Sequence, residues 1–195
     1  MKFKTLLEIF NKSKNNIVIN NDKKKINKRF DGSLFDLIKI NTSYVTVKGY
    51  IYILGNQNNS YSSINEQFNT ICEYDLQLIA YDIWGGLFAV KQDVPMENDL
   101  VYYFAPDTLE WENMNVNYEG FINWISNGEI DKYYETFVFE NIKNYVKQLK
   151  INECILVYPY LWANECNIET ASKKIVSLIE MININFEYAR QLSQQ

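Results

Sequence analysis

The chain has 195 residues, a net charge of −5 and no histidine. That absence removes Ser-His-Asp and Cys-His nucleophilic machinery, together with the commonest metal ligand. The length suits one well-filled α+β core over residues 1–195, and no apolar run approaches the roughly 20 residues that span a bilayer.

Phe3, Leu6, Leu7 and Phe10 fall on one face of a first helix. Lysines precede this run, but Glu8 interrupts it and no small-residue cleavage site follows, so the pattern does not predict a signal peptide. Asn16–Asn20 reads as a short strand, and Leu34–Ile40 suits either a helix or a strand. Val45–Val47 and Tyr50–Leu54 form a hairpin pattern turning at Lys48-Gly49. A polar loop over 55–63 leads to a short helix over Ile64–Ile71.

Two hairpins are predicted next. Leu76–Ile83 and Leu87–Val90 flank Trp84, Gly85 and Gly86, where adjacent glycines allow the chain to reverse. Leu100–Phe104 and Leu109–Trp111 flank Ala105-Pro106-Asp107-Thr108, a type I turn sequence. Tyr118, Phe121, Ile122 and Ile125 then line one helical face, which Asn127-Gly128 closes. Apolar residues from Ile130 to Leu149 keep helical spacing and predict one long or slightly broken helix. Ile155–Tyr158 is a buried-strand pattern ended by Pro159. Lys174–Leu178 suits an edge strand and Ile179–Leu192 a closing helix.

Three groups of residues carry a family resemblance: Asp82, Gly85, Gly86, Phe88 and Ala89; then Tyr103 to Trp111; then Tyr118, Phe121, Trp124 and Gly128. With Gly49–Gly55, Tyr158–Trp162 and Ala189–Leu192, they resemble a bacterial family catalogued as domain of unknown function 2625, over residues 49–195. Residues 1–48 then form a divergent, helical N-terminal region. More distantly, the order of elements is similar to the SUKH superfamily, many of whose members are immunity proteins that neutralise toxins. The pattern of elements predicts an antiparallel twisted sheet, a meander of about five or six strands with helices mainly on one face. The likeness implies a non-enzymatic, immunity-like protein-binding role.

Charge is distributed unevenly. Residues 1–30 carry nine basic side chains against two acidic ones, whereas residues 91–140 carry eleven acidic against two basic. Such runs are commonly solvated faces; read functionally, the acidic stretch would meet a basic, toxin-like protein. Lys23-Lys24-Lys25 in an acidic chain reads as solvated surface, so nucleic acid is not expected as a partner, and without a spanning apolar run neither is a membrane. The odd cysteine count, three with no C-x-x-C, fits a reducing cytoplasm.

The candidate binding residues are Asp82, Trp84, Asp107, Glu110 and Glu112, with Trp84 exposed at a hairpin tip and Trp124 in the core. No metal or cofactor is expected, because the cysteine spacings form no zinc pair and no Walker or dinucleotide motif occurs. An alternative is a carboxylate-based hydrolase or metal-dependent enzyme, if Asp82 converges with Asp107 and Glu110. Against it, Asp82 and Asp107 also suit Asx turns, which bind their own backbone. A third alternative is a small-ligand sensor with an aromatic-lined cavity.

Overall fold

The computed structural model describes residues 3–27, 32–92 and 99–194. Lys2, Lys28, Arg29, Asp93 and Glu97, which contribute to the charge runs, lie outside the described residues. Seven strands form one antiparallel sheet in strict chain order: β1 (Ile17–Asn20), β2 (Tyr44–Val47), β3 (Ile51–Leu54), β4 (Leu76–Asp82), β5 (Leu87–Lys91), β6 (Tyr102–Ala105) and β7 (Glu110–Asn113). A separate antiparallel ribbon joins β8 (Glu153–Tyr158) to β9 (Ser172–Ser177). The α+β class and the meander agree with the sequence reading, but the main sheet has seven strands instead of five or six.

The helices are α1 (Phe3–Asn11), α2 (Leu34–Asn41), α3 (Ser60–Ile71), α4 (Tyr118–Asn127), α5 (Ile130–Tyr133), α6 (Ile142–Gln148) and α7 (Leu178–Leu192). Their starts follow local chemistry. Ser33, Asn117 and Ser177 each accept a backbone N–H from the first turn of the helix that follows them. Lys23–Lys25 forms a single exposed 3-10 turn capped by Asp22.

Residues 1–48 are not merely helical, because they supply β1 and β2 to the sheet as well as α1 and α2. The segment is tied to the far side of the chain through Asn15, whose amide nitrogen donates to Ile125 and Gly128 carbonyls. The stretch from Ile130 to Leu149, expected as one long or slightly broken helix, is two short helices separated by turns. Between them lies Thr136-Phe137-Val138-Phe139, β-branched and aromatic residues with weak helix propensity. Tyr134 and Phe137 there pack against Trp84.

Helices cover both faces of the sheet, not mainly one. Successive strand residues point to opposite sides, and both sides of β6 find helical partners. Phe104 packs on Phe186 of α7 at 4.9 Å, while its neighbour Tyr103 packs on Tyr133 of α5 at 5.9 Å. Phe88, paired with Tyr103 in register, meets Phe121 of α4 at 5.0 Å. The sheet is therefore a central layer. This explains why β3 and most of β4 and β5 are buried on both sides, as their continuous apolar runs require.

Candidate functional site

The glycine turn after β4 is an interior feature. Asp82 is fully buried, and its Oδ1 accepts the backbone N–H of Trp84 and of Gly86, both at 2.9 Å. This is the Asx-turn geometry that its spacing to the glycines allows. Its Oδ2 accepts the hydroxyls of Tyr103 at 2.8 Å and Tyr134 at 3.1 Å. Gly85 adopts φ +92°, a conformation that favours glycine. A methyl group on Gly86 would run into the Asp82 carboxylate and the Tyr103 hydroxyl.

Burial pushes the Asp82 carboxyl above its ordinary value, against the opposing pull of these four hydrogen bonds. The same burial, with Asp82 beside them, pushes the Tyr103 and Tyr134 phenols well up. All four bonds stabilise a carboxylate whose lone pairs are directed at the protein itself.

Trp84 corrects the sequence reading most sharply. Expected exposed at a hairpin tip, it is 1% accessible. Its ring stacks on Tyr134 at 4.7 Å and touches Tyr50 and Phe137. The tip is covered because β8 runs beside it, with the Ile155 N–H donating to the Ile83 carbonyl at 2.7 Å. Trp124, assigned to the core, is only half-buried, against Phe88, Phe121 and Tyr133.

The second hairpin behaves as a surface. Asp107, in its turn, and Glu110 and Glu112, on β7, are exposed, while Trp111 between the two glutamates is half-buried against Phe104 and Phe186. Tyr133 lies where the fields of Asp82, Glu112 and Asp107 overlap; after burial, these three push its phenol up in that order. The carboxylates thus share one end of the sheet, but they do not form a working pair, since Asp82 is sealed inside and the others face water. Among the described residues, no group of three His, Cys, Asp or Glu side chains is placed to hold a metal ion.

What the sequence reading missed is a groove of about 790 Å³ beside this hairpin. Tyr102, Phe104, Trp111 and Phe186 give it aromatic walls, and Ile71, Leu76, Leu109 and Ala189 add aliphatic surface. Its charged lining comprises Glu73, Asp75 and Glu110, with Lys91 and Arg190. Arg190 is already engaged by Glu187 at 3.1 Å and Glu73 at 3.7 Å, and the Lys91 ammonium sits over the Tyr102 ring. Of the five proposed binding residues, Glu110 alone lines the groove. The visible signal was the alternation of Glu110, Trp111 and Glu112; the α7 wall, more than 70 residues later, gave no local sign.

A family model described as protein of unknown function DUF2625 matches residues 36–181. The chain belongs to this family. The match starts earlier than residue 49, within α2 and ahead of β2, and ends within α7. A putative uncharacterized protein, YbfG, of Escherichia coli strain K12 is 33% identical over 117 residues, covering 60% of this chain and 53% of that protein. An uncharacterized protein of Haemophilus influenzae strain Rd is 33% identical over 86 residues, covering 43% of this chain and 37% of that one. The chain therefore spans about half the length, or less, of these relatives.

Among the described residues, no helix is long and apolar enough to cross a membrane.

Proposed function

We propose that this DUF2625 member is a non-enzymatic protein-binding module whose recognition surface is the β6–β7 hairpin and the groove beside it. The observation that carries the reading is the aromatic-walled groove of about 790 Å³ next to exposed Glu110 and Glu112. Aromatic surface open to an incoming side chain is the usual anchor of an interface, and a charged rim sets the partner's sign. With Glu73, Asp75 and Glu110 in its lining against Lys91 and an Arg190 already held by carboxylates, that rim favours a basic protein. A toxin is the case suggested by the likeness to SUKH immunity proteins, and a cytoplasmic encounter agrees with the free cysteines. Asp82 and Trp84 take no direct part; they hold the hairpin in place.

The test is affinity capture of the tagged chain from its host, repeated with Trp111→Ala and with Glu110→Lys/Glu112→Lys. A stoichiometric basic partner is expected with the parent chain, lost from both variants and weakened by salt. Recovery of the chain alone, or undiminished capture by both variants, overturns the proposal.

One observation favours a second reading. The groove volume falls within the roughly 300–1,000 Å³ of small-molecule sites, so a small cationic, aromatic ligand would also fit. Native mass spectrometry of the chain purified from its host would reveal such a ligand as a fixed mass increment.

A further inference from the structure

We infer that the partner binds as an added strand on β7, an extended basic segment that sends alternate apolar side chains into the groove. The inference rests on the binding-module reading and gives it a geometry.

The main sheet ends at β7, with β6 on one side and, among the described residues, no strand on the other. Register fixes which of its backbone groups are free. The Met114 N–H donates to the Val101 carbonyl at 3.0 Å, and the pairs then run Tyr102↔Asn113, Tyr103↔Glu112, Phe104↔Trp111 and Ala105↔Glu110. Antiparallel partners alternate between exchanging both hydrogen bonds and exchanging none. Counting from Val101, Glu112 and Glu110 bond to β6, whereas Trp111 and Asn113 turn their backbone groups outward. The Asn113 carbonyl meets the Asn115 side-chain amide at 3.2 Å, which leaves both groups of Trp111 and the N–H of Asn113 to an incoming strand.

Period-two alternation puts Trp111 and Asn113 on the side of the sheet that carries the groove. A strand added beside β7 therefore presents every second side chain to the surface formed by Trp111, Phe104 and Phe186. Its intervening side chains lie beside Glu110 and Glu112, where lysine or arginine satisfies the local charge. The same two glutamates disfavour a second copy of this chain as occupant, because pairing β7 with itself would bring like charges together.

The probe is a library of random twelve-residue peptides displayed on phage, selected against the full chain at low salt. Enriched sequences are expected to alternate apolar residues with lysine or arginine. Synthetic versions are expected to slow hydrogen exchange at the Trp111 and Asn113 amides. N-methylation of one inward-facing peptide nitrogen should weaken binding about tenfold, the worth of one hydrogen bond and its orphaned partner. Asn113→Pro, which removes an outward N–H and leaves the β6 ladder intact, should weaken binding similarly.

No enrichment, a helical i, i+3, i+4 pattern, tolerance of N-methylation at every position, or unchanged exchange at Trp111 and Asn113 would each overturn strand addition. Should a host partner still be captured through the groove, strand geometry alone has failed; if none is captured, the binding-module reading fails with it.

Discussion

The two hairpins of the central sheet look alike in sequence and have opposite fates. Each reverses two short strands at a turn carrying an aspartate, and each has a tryptophan within a few residues of that aspartate. At the first, Asp82 and Trp84 are buried under Tyr134, Phe137 and β8. At the second, Asp107, Glu110 and Glu112 stay in water and Trp111 borders an open groove. The difference lies in what the later chain covers. Residues from Ile130 onward close over the glycine turn and leave the edge of β7 alone. Turn chemistry specifies a reversal; it does not specify exposure.

The sharpest way to break this contrast is to truncate the two tryptophans. Trp84→Ala removes a fully packed ring and should cost about 3–5 kcal/mol of stability in denaturant titration. Trp111→Ala should cost well under half of that and act mainly on partner capture. If Trp84→Ala left stability unchanged while abolishing capture, the interior role assigned to the first hairpin would be wrong.

Asp82→Ala comes next. It leaves the Trp84 and Gly86 N–H groups and two tyrosine hydroxyls without their acceptor, a loss of about 3 kcal/mol. Thermal melts would show it as a lower midpoint. The conservative change Asp82→Asn carries a pH signature. Because the folded pKa of Asp82 is raised, its protonated form is favoured by folding. The associated stability is fully present below the unfolded carboxylate pKa and is lost as pH rises through the folded value. The stability of the parent chain relative to Asp82→Asn should therefore be greatest below the unfolded carboxylate pKa of about 4 and shrink over the window in which pH rises above it. A difference that grows over that window would mean the hydrogen bonds outweigh burial.

Gly86→Ala is smaller in chemistry but still costly, about 1–3 kcal/mol, since the new methyl meets the Asp82 carboxylate and the Tyr103 hydroxyl. The smallest stability effect belongs to the second hairpin. Glu110→Lys/Glu112→Lys changes two exposed side chains and should move the unfolding midpoint by no more than about 0.5 kcal/mol equivalent per site. Partner capture should nevertheless be lost. A large stability loss there would turn the acidic edge into a structural feature and sharpen the case for a different surface.

Much of the architecture was legible because it depends on local patterns. The hairpin at Lys48-Gly49, the helix from Tyr118 to Asn127, the late strand ending at Tyr158 and the closing helix follow from turn residues, capping side chains and apolar periodicity. The Asx turn at Asp82 also follows from spacing, since Trp84 and Gly86 are its own near neighbours. Membership of DUF2625 was legible for a related reason: most of the motifs that carry the resemblance sit in the two hairpins and the helix that follows them, inside the matched span of residues 36–181.

Tertiary structure decided everything that depends on distant segments meeting. Tyr103 and Tyr134 reach the Asp82 carboxylate from 21 and 52 residues away, and Phe186 of α7 completes the groove beside β6 and β7. Helices on both faces, the burial of Trp84 and the openness of β7 have the same origin. Periodicity reports which side of an element avoids water, but it cannot name the element that covers that side. Local backbone preferences act over a few residues, whereas burial is set by whichever segments pack together after the chain has closed on itself.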